Sequence, residues 1–343
     1  MKTIASTLAS AAMGALMIAS PARADSVADF YKGKTFNIVV AHHVGTGFDL
    51  YSRVLARHLN RYIPGQPDIL VRNMVGASGI IAANYLYNAA PRDGTTMAIF
   101  VYTVALEKIF GNPQARFDPG KMIWIGNMEK SVTLCGVLRR SGVRSLEDLR
   151  AREATFGGTG ATGPLTTAAN AMRNLLGAKI KVIEGYKGSP EVKAAMLRGE
   201  VAGTCGLIWS HMKIGWQAEL ASGDYIPVLQ TSGDTTPELK GVPHVRDFAK
   251  TPEEKQLFEL VFTIGENGRN YAMPPDVPAD RVKAIRSAFL ATIADKAFLT
   301  EANKLGLEIS PMTGEELEAS WRRMAQTPPE IIAKAKAALG SSK

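Results

Sequence analysis

The sequence is poor in several things. Its 343 residues contain two cysteines, Cys135 and Cys205, too few for a zinc cluster or a disulfide-dense scaffold. Aromatic residues make up 7% of the chain, charged residues 21% and hydrophobic residues 46%, a balance unlike that of a disordered or collagen-like chain. Beyond the N-terminus no charge-free apolar run approaches the ~20 residues of a membrane-spanning helix, which excludes a multi-span membrane protein. Repeats of solenoid period and low-complexity tracts are absent. Catalytic signatures are scarce too: there is no G-x-S-x-G elbow, no H-E-x-x-H pair and no Walker lysine. No metal or cofactor is therefore expected. The net charge of +8 bears on solubility and on the steering of anions.

What is present begins with an export signal. Lys2 supplies a positive start, Ile4 to Ala19 form an uncharged apolar stretch, and Ala22-Arg23-Ala24 is an A-x-A cleavage site. Residues 1–24 are read as a secretory signal peptide cleaved after Ala24, and no cysteine at that point provides for a lipid anchor. Without Lys2 and Arg23 the mature chain carries +6. Nucleic acid is not an expected partner of an exported protein.

The mature chain alternates strands and helices. Phe36–Ala41 is a β-branched run, followed by His42-His43-Val44-Gly45-Thr46-Gly47 and a helix from about Phe48. Strands at Ile69–Val71 and Met97–Tyr102 flank a helix over Ile80–Asn88. The pattern restarts with strands at Val132–Leu138, Ala154–Gly157, Ile180–Tyr186 and Val201–Leu207. Between them lie a helix opened by Ser145, one running to about Leu176, and one started by Ser189-Pro190 and stopped by Gly199. Ile226–Thr231 reads as a strand that takes the chain back toward the first unit. Helices follow, one opened by the capping box Thr313-x-x-Glu316. The expected architecture is α/β with two lobes, each a mostly parallel sheet flanked by helices, and a ligand cleft between them. Residues 25–125 plus 230–343 are assigned to lobe 1 and 126–229 to lobe 2, with a hinge near 126 and 230.

Two loops carry the chemistry. Gly45-Thr46-Gly47-Phe48-Asp49 and Gly158-Thr159-Gly160-Ala161-Thr162-Gly163 each follow a strand and open a helix. Such a helix start presents free N–H groups and a partial positive charge, which suits a carboxylate or other oxyanion. Either loop alone reads equally well as a tight turn; two in equivalent places favour one shared anion site. Asp49 in the first helical turn reads as a cap. His42 and His43 point to opposite faces of their strand, so one of them at most lines the cleft. Tyr186 and Trp209 follow later strands; Trp209 reads equally as a cleft wall or a core residue. Cys135 and Cys205 are a candidate disulfide within lobe 2, or two buried thiols. A secreted hydrolase using a cleft histidine remains the alternative to a binding protein.

The order of motifs, FNIVVAHHVGTGFDLYSRVLARHL, NMVGASGIIAANYLYNAAPRDGTTMAIF, FGGTGATGP and VIEGYKGSPEVKAAMLRGEVAGTCGLIWS, resembles the Bug family of extracytoplasmic solute-binding receptors of tripartite tricarboxylate transporters. The resemblance implies a two-lobed, monomeric periplasmic receptor and not an enzyme. It captures a small carboxylate and delivers it to one large and one small membrane subunit, or presents it to a sensor. It places Val44, Gly45, Thr46, Gly47, Phe48 and Asp49 of the first loop, and Thr159, Gly160, Ala161, Thr162 and Gly163 of the second, around the ligand carboxylate. Tyr186 and Trp209 join the ligand-binding set. The chain departs from the family pattern at Val75 and Ser78 of the Gly76–Gly79 turn, at Thr46 between the first-loop glycines, and at Leu165 and Thr166 after Pro164. An aspartate common after the Cys205 strand is absent here, where Gly206-Leu207-Ile208-Trp209 stands, so the distal end of the ligand is expected to meet apolar or aromatic groups.

Overall fold

A computed structural model describes residues 26–161, 163–232, 235–262 and 268–340. The export signal and Thr162 lie outside the described residues.

After a short helix α1 (Val27–Tyr31), strand β1 (Thr35–Val40) leads through the first glycine loop into α2 (Gly47–Leu59), then β2 (Asp68–Asn73), α3 (Ile80–Asn88) and β3 (Thr96–Phe100). β1 pairs in parallel with both β2 and β3, as right-handed βαβ crossovers require. Helix α4 (Tyr102–Ile109) and strand β4 (Ile123–Asn127) follow. The chain then enters the second sheet through β5 (Thr133–Leu138), α5 (Leu146–Ala151), β6 (Ala154–Gly157), α6 (Pro164–Leu176), β7 (Ile180–Ile183), α7 (Ser189–Arg198) and β8 (Gly203–Ile208). Two short helices, α8 (Trp209–Gly215) and α9 (Gln217–Ala221), lead to β9 (Tyr225–Gln230). The remainder comprises α10 (Pro252–Phe262), β10 (Asn270–Met273), α11 (Ala279–Ala294), α12 (Lys296–Lys304), β11 (Met312–Thr313), α13 (Gly314–Ala325) and α14 (Pro329–Leu339).

The first sheet has the order β11-β4-β10-β3-β1-β2 and the second β7-β6-β8-β5-β9. Two α/β sheets flanked by helices are therefore present, but both are mixed where mostly parallel sheets were expected. β10 runs antiparallel to β3 and β4, and β5 runs antiparallel to β8 and β9. The physical reason lies in the connections: only strands joined by a full helical crossover come out parallel, whereas β5 and β10 bring the chain in from another sheet or segment. The expected return strand is instead the edge of the second sheet, its Leu229 opposite Cys135. Pro227 sits on this edge strand, where a missing N–H is tolerated.

Apolar side chains cover both faces of the first sheet. Phe36, Ile38 and Val40 pack on one side with Val54, Leu55 and Phe289. On the other, Trp124 stacks on Trp321 with centroids 5.3 Å apart and meets the Phe100 ring edge-on. That second cluster continues through α10 and α14 to Met172 of α6 and to Cys135 and Phe156 of the second sheet. Asn170 and Asn174 of α6 donate to the Leu339 and Ala338 carbonyls of α14. Cys135 on β5 and Cys205 on β8 are bonded as a disulfide between neighbouring strands. Where they meet, β8 places one extra residue opposite β5, a bulge that takes Gly206 to φ +72°, a conformation suited to glycine.

Candidate functional site

A cavity of about 590 Å³ opens between the two sheets. The start of α2 reaches it from one side with Thr46, Gly47 and Phe48, and the start of α6 from the other with Gly163, Pro164 and Thr167. Connecting segments contribute Ser131, Thr231 and Arg269, and the first residue of β5 contributes Thr133.

The first loop is held by its own polar groups. Thr46 caps α2, its Oγ1 accepting from the Asp49 N–H at 3.5 Å and donating to the His43 carbonyl at 2.8 Å. Asp49 is buried and turned inward: its carboxylate accepts from Gly45 N–H, Asn73 Nδ2 and Arg53 Nε, each within 3.0 Å. Burial opposes its ionisation, but Arg53, the Gly45 N–H and Asn73 outweigh burial and hold the carboxyl below its usual value. Asp49 thus shapes the loop, while the N–H groups at the α2 N-terminus stay next to the cavity. The α6 N-terminus has no side-chain cap, with Gly163 in the N-cap place and Pro164 beginning the helix. Its early N–H groups lack partners within the helix.

Arg269 lies beneath these groups, just before β10, with its side chain 4% exposed. Its guanidinium sits 4.4 Å from the Phe48 ring centre and 4.9 Å from that of Tyr51. Nη1 donates to the Gly268 carbonyl at 2.9 Å, and Nε is 3.6 Å from Oε2 of buried Glu129. Glu129 Oε1 accepts from Ser210 Oγ at 3.0 Å. Among the described residues none accepts a hydrogen bond from Nη2. A Cβ on Gly47 would come within 3.0 Å of that nitrogen, so glycine there lets the cation rest against the helix start. Chemically, a cation and two helix N-termini converge on one volume, a setting that favours an oxyanion.

His42 and His43 divide as strand alternation requires: His42 lines the cavity and stacks on Phe48 with centroids 4.0 Å apart, while His43 is exposed. Burial, then the nearby Arg269 and His43, push the His42 pKa down to about 4. Among the described residues no group of His, Cys, Asp and Glu could hold a metal ion, and no helix is long and apolar enough to cross a membrane.

No protein-family model matches the chain, and no curated protein sequence matches it. Solved structures do. A TctC solute-binding protein from Polaromonas superposes with a TM-score of 0.72 at 16% identity, over 89% of this chain and 98% of its own. The periplasmic binding protein BugD gives 0.61 at 18% identity, over 90% and 98%. MatC from Rhodopseudomonas palustris, with bound malate, gives 0.57 at 15% identity, over 87% and 99%. The chain has the fold of periplasmic solute-binding proteins.

Within this fold the residues singled out from the sequence separate. Thr46, Gly47, Phe48 and Gly163 meet at the cavity, whereas Val44 is 71% exposed outside it. Gly45 and Asp49 bond to each other within the loop. Thr159, Gly160 and Ala161 precede the α6 N-terminus without lining the cavity; the Thr159 carbonyl accepts from the Gly185 N–H. Tyr186 packs beside Val192 of α7, and Trp209 donates its Nε1–H to Glu238; neither lines the cavity. The sequence reading missed Arg269, Glu129, His211 and Glu107. No local motif marks Arg269 among the chain's basic residues. Only the return of β10 between β3 and β4 carries it under α2.

Proposed function

We propose that the protein is an exported, monomeric solute-binding receptor of the Bug type, which captures a small carboxylate between its lobes in the periplasm. It hands the ligand to a tripartite tricarboxylate-type transporter with one large and one small membrane subunit. Residues 1–24 are the export signal; the segments up to the end of β4 near 127 and from the end of β9 near 231 form one lobe, the segment between them the other, and the lobes close on a hinge at these two crossings. The observation that carries the reading is Arg269, a buried guanidinium with Nη2 turned to the α2 N-terminus in the interlobe cavity. Gly47 and Phe48 of the first loop and Gly163 of the second complete the carboxylate site. Micromolar affinity requires only about −8.2 kcal/mol, within reach of a few charge-assisted hydrogen bonds in a desolvated cleft. Binding without turnover is supported by His42: with a pKa of about 4 the ring is a weak proton acceptor at neutral pH.

A thermal-shift screen with mono-, di- and tricarboxylates tests this, because a ligand specific for the native state raises the melting temperature. At least one carboxylate is expected to do so. A shift with a sugar or a cation and with no carboxylate would overturn the proposal.

A further inference from the structure

We propose that the cleft selects a monocarboxylate with an extended apolar body, and that Glu107 turns away ligands bearing a second carboxylate at the far end. The inference rests on the carboxylate-receptor reading and names its substrate class.

Three observations carry it. First, among the described residues lining the cavity, Arg269 is the single Lys or Arg side chain. The two imidazoles there do not add charge readily: burial and then Arg269 lower the pKa of His42, and burial outweighs the opposing Glu129 to lower that of His211. Second, much of the remaining wall is apolar: Val101 before α4, Ala168 on α6, Ile208 ending β8, Val261 and Phe262 on α10, and Leu339 on α14; the polar groups between them are neutral hydroxyls such as Thr133, Thr167 and Thr231, which carry no positive charge. Third, the charged group that α4 contributes is an acid. Glu107 lies one helical turn from Thr103, which also lines the cavity, and its Oε2 accepts from Asn112 Nδ2 at 2.8 Å, which fixes the carboxylate in place.

A ligand carboxylate on Arg269 and the helix N-termini therefore leaves its remaining atoms against largely apolar side chains, the stacked His42–Phe48 pair and uncharged hydroxyls. Apolar atoms gain from that burial. A second carboxylate would lose its hydration there without a cation to replace it, and would face the like charge of Glu107. The volume of about 590 Å³ lies within the ~300–1,000 Å³ typical of sites for drug-sized ligands; a four-carbon dicarboxylate fills little of it.

Hexanoate and adipate make the test, since they share a six-carbon chain and differ in the second carboxylate; 3-phenylpropanoate and malate extend the series. Calorimetry on the purified mature protein is expected to give hexanoate and 3-phenylpropanoate affinities about tenfold or more above that of adipate, a difference of ~1.4 kcal/mol. Glu107→Gln is expected to raise adipate affinity several-fold and leave hexanoate within about twofold. Adipate or malate binding the wild-type protein as tightly as the monocarboxylates would overturn the inference and leave the receptor reading standing. This comparison needs no variant to fold. If none of the four binds or shifts the melting temperature, while another class of solute does, the carboxylate reading fails and takes the inference with it.

Discussion

Replacing Arg269 by Gln separates two roles that the residue combines. Its side chain and that of Glu129 are 4% and 1% exposed, with Nε and Oε2 3.6 Å apart. At an effective dielectric constant near 20 this distance corresponds to about 5 kcal/mol of attraction. Removing one partner of such a pair typically costs ~3–5 kcal/mol, because the other charge stays buried, whereas replacing both is often close to neutral. Arg269→Gln should therefore destabilise the protein by about 3–5 kcal/mol, and Arg269→Gln with Glu129→Gln by about 1 kcal/mol or less. Ligand affinity should follow a different pattern. Losing one charge-assisted hydrogen bond of ~1.5–3 kcal/mol lowers carboxylate affinity by roughly ten- to a hundredfold, and the double variant isolates that loss from repulsion by Glu129. Urea denaturation followed by tryptophan fluorescence gives the stabilities. Calorimetry with the carboxylate that most raises the wild-type melting temperature gives the affinities. A double variant that binds as tightly as wild type would remove Arg269 from the site. Equal stability losses in the single and double variants would show that the two charges are not coupled.

Three further outcomes follow from the same geometry. Gly47→Ala adds a methyl 3.0 Å from Arg269 Nη2; it should lower carboxylate affinity several-fold while stability changes by about 1 kcal/mol or less, as parallel binding and melting curves will report. Replacing Cys135 and Cys205 together by Ser opens a loop whose ends are 70 residues apart, which should cost roughly 4 kcal/mol; a loss below about 1 kcal/mol in urea would contradict the constraint assigned to the bridge. The His42 pKa is about 4 in the folded protein against an ordinary ~6.5. Its contribution to stability is therefore full above pH 6.5 and is lost as the pH falls toward 4, about 2 kcal/mol of it between pH 7 and 5. His42→Phe, which keeps a ring against Phe48, should flatten the stability difference between those two pH values relative to wild type; parallel wild-type and variant profiles would refute the titration.

Much of the framework was legible because it rests on local signals. The β-branched run of β1, Pro164 at the start of α6, and Gly199 ending α7 in a left-handed conformation are written in adjacent residues. The Thr313 capping box forms as expected, with Glu316 N–H donating to Thr313 Oγ1 and Thr313 N–H to the Glu316 carboxylate. Less local features were not legible. β10 is Asn-Tyr-Ala-Met, with no β-branched residue, and is a strand because β3 and β4 bracket it. α4 starts after Val101 without a side-chain cap, so nothing before it announces a helix. The same holds at the site. Both helix N-termini were evident from the glycine loops, but Arg269, Glu107 and Glu129 depend on how distant segments come together. The two cysteines favoured a bridge only slightly over two buried thiols until β5 and β8 proved to be neighbours.

The Cys135–Cys205 bond has an effect beyond stability. Because β8 carries one residue too many where the bond crosses to β5, the surplus is displaced at Gly206, where an added Cβ would lie 2.9 Å from the Pro164 carbonyl. Gly206 and Pro164 both line the cavity. A covalent link in the middle of one sheet thus adjoins the lining of the cavity, and breaking it is expected to alter the cavity's shape at Gly206 and Pro164.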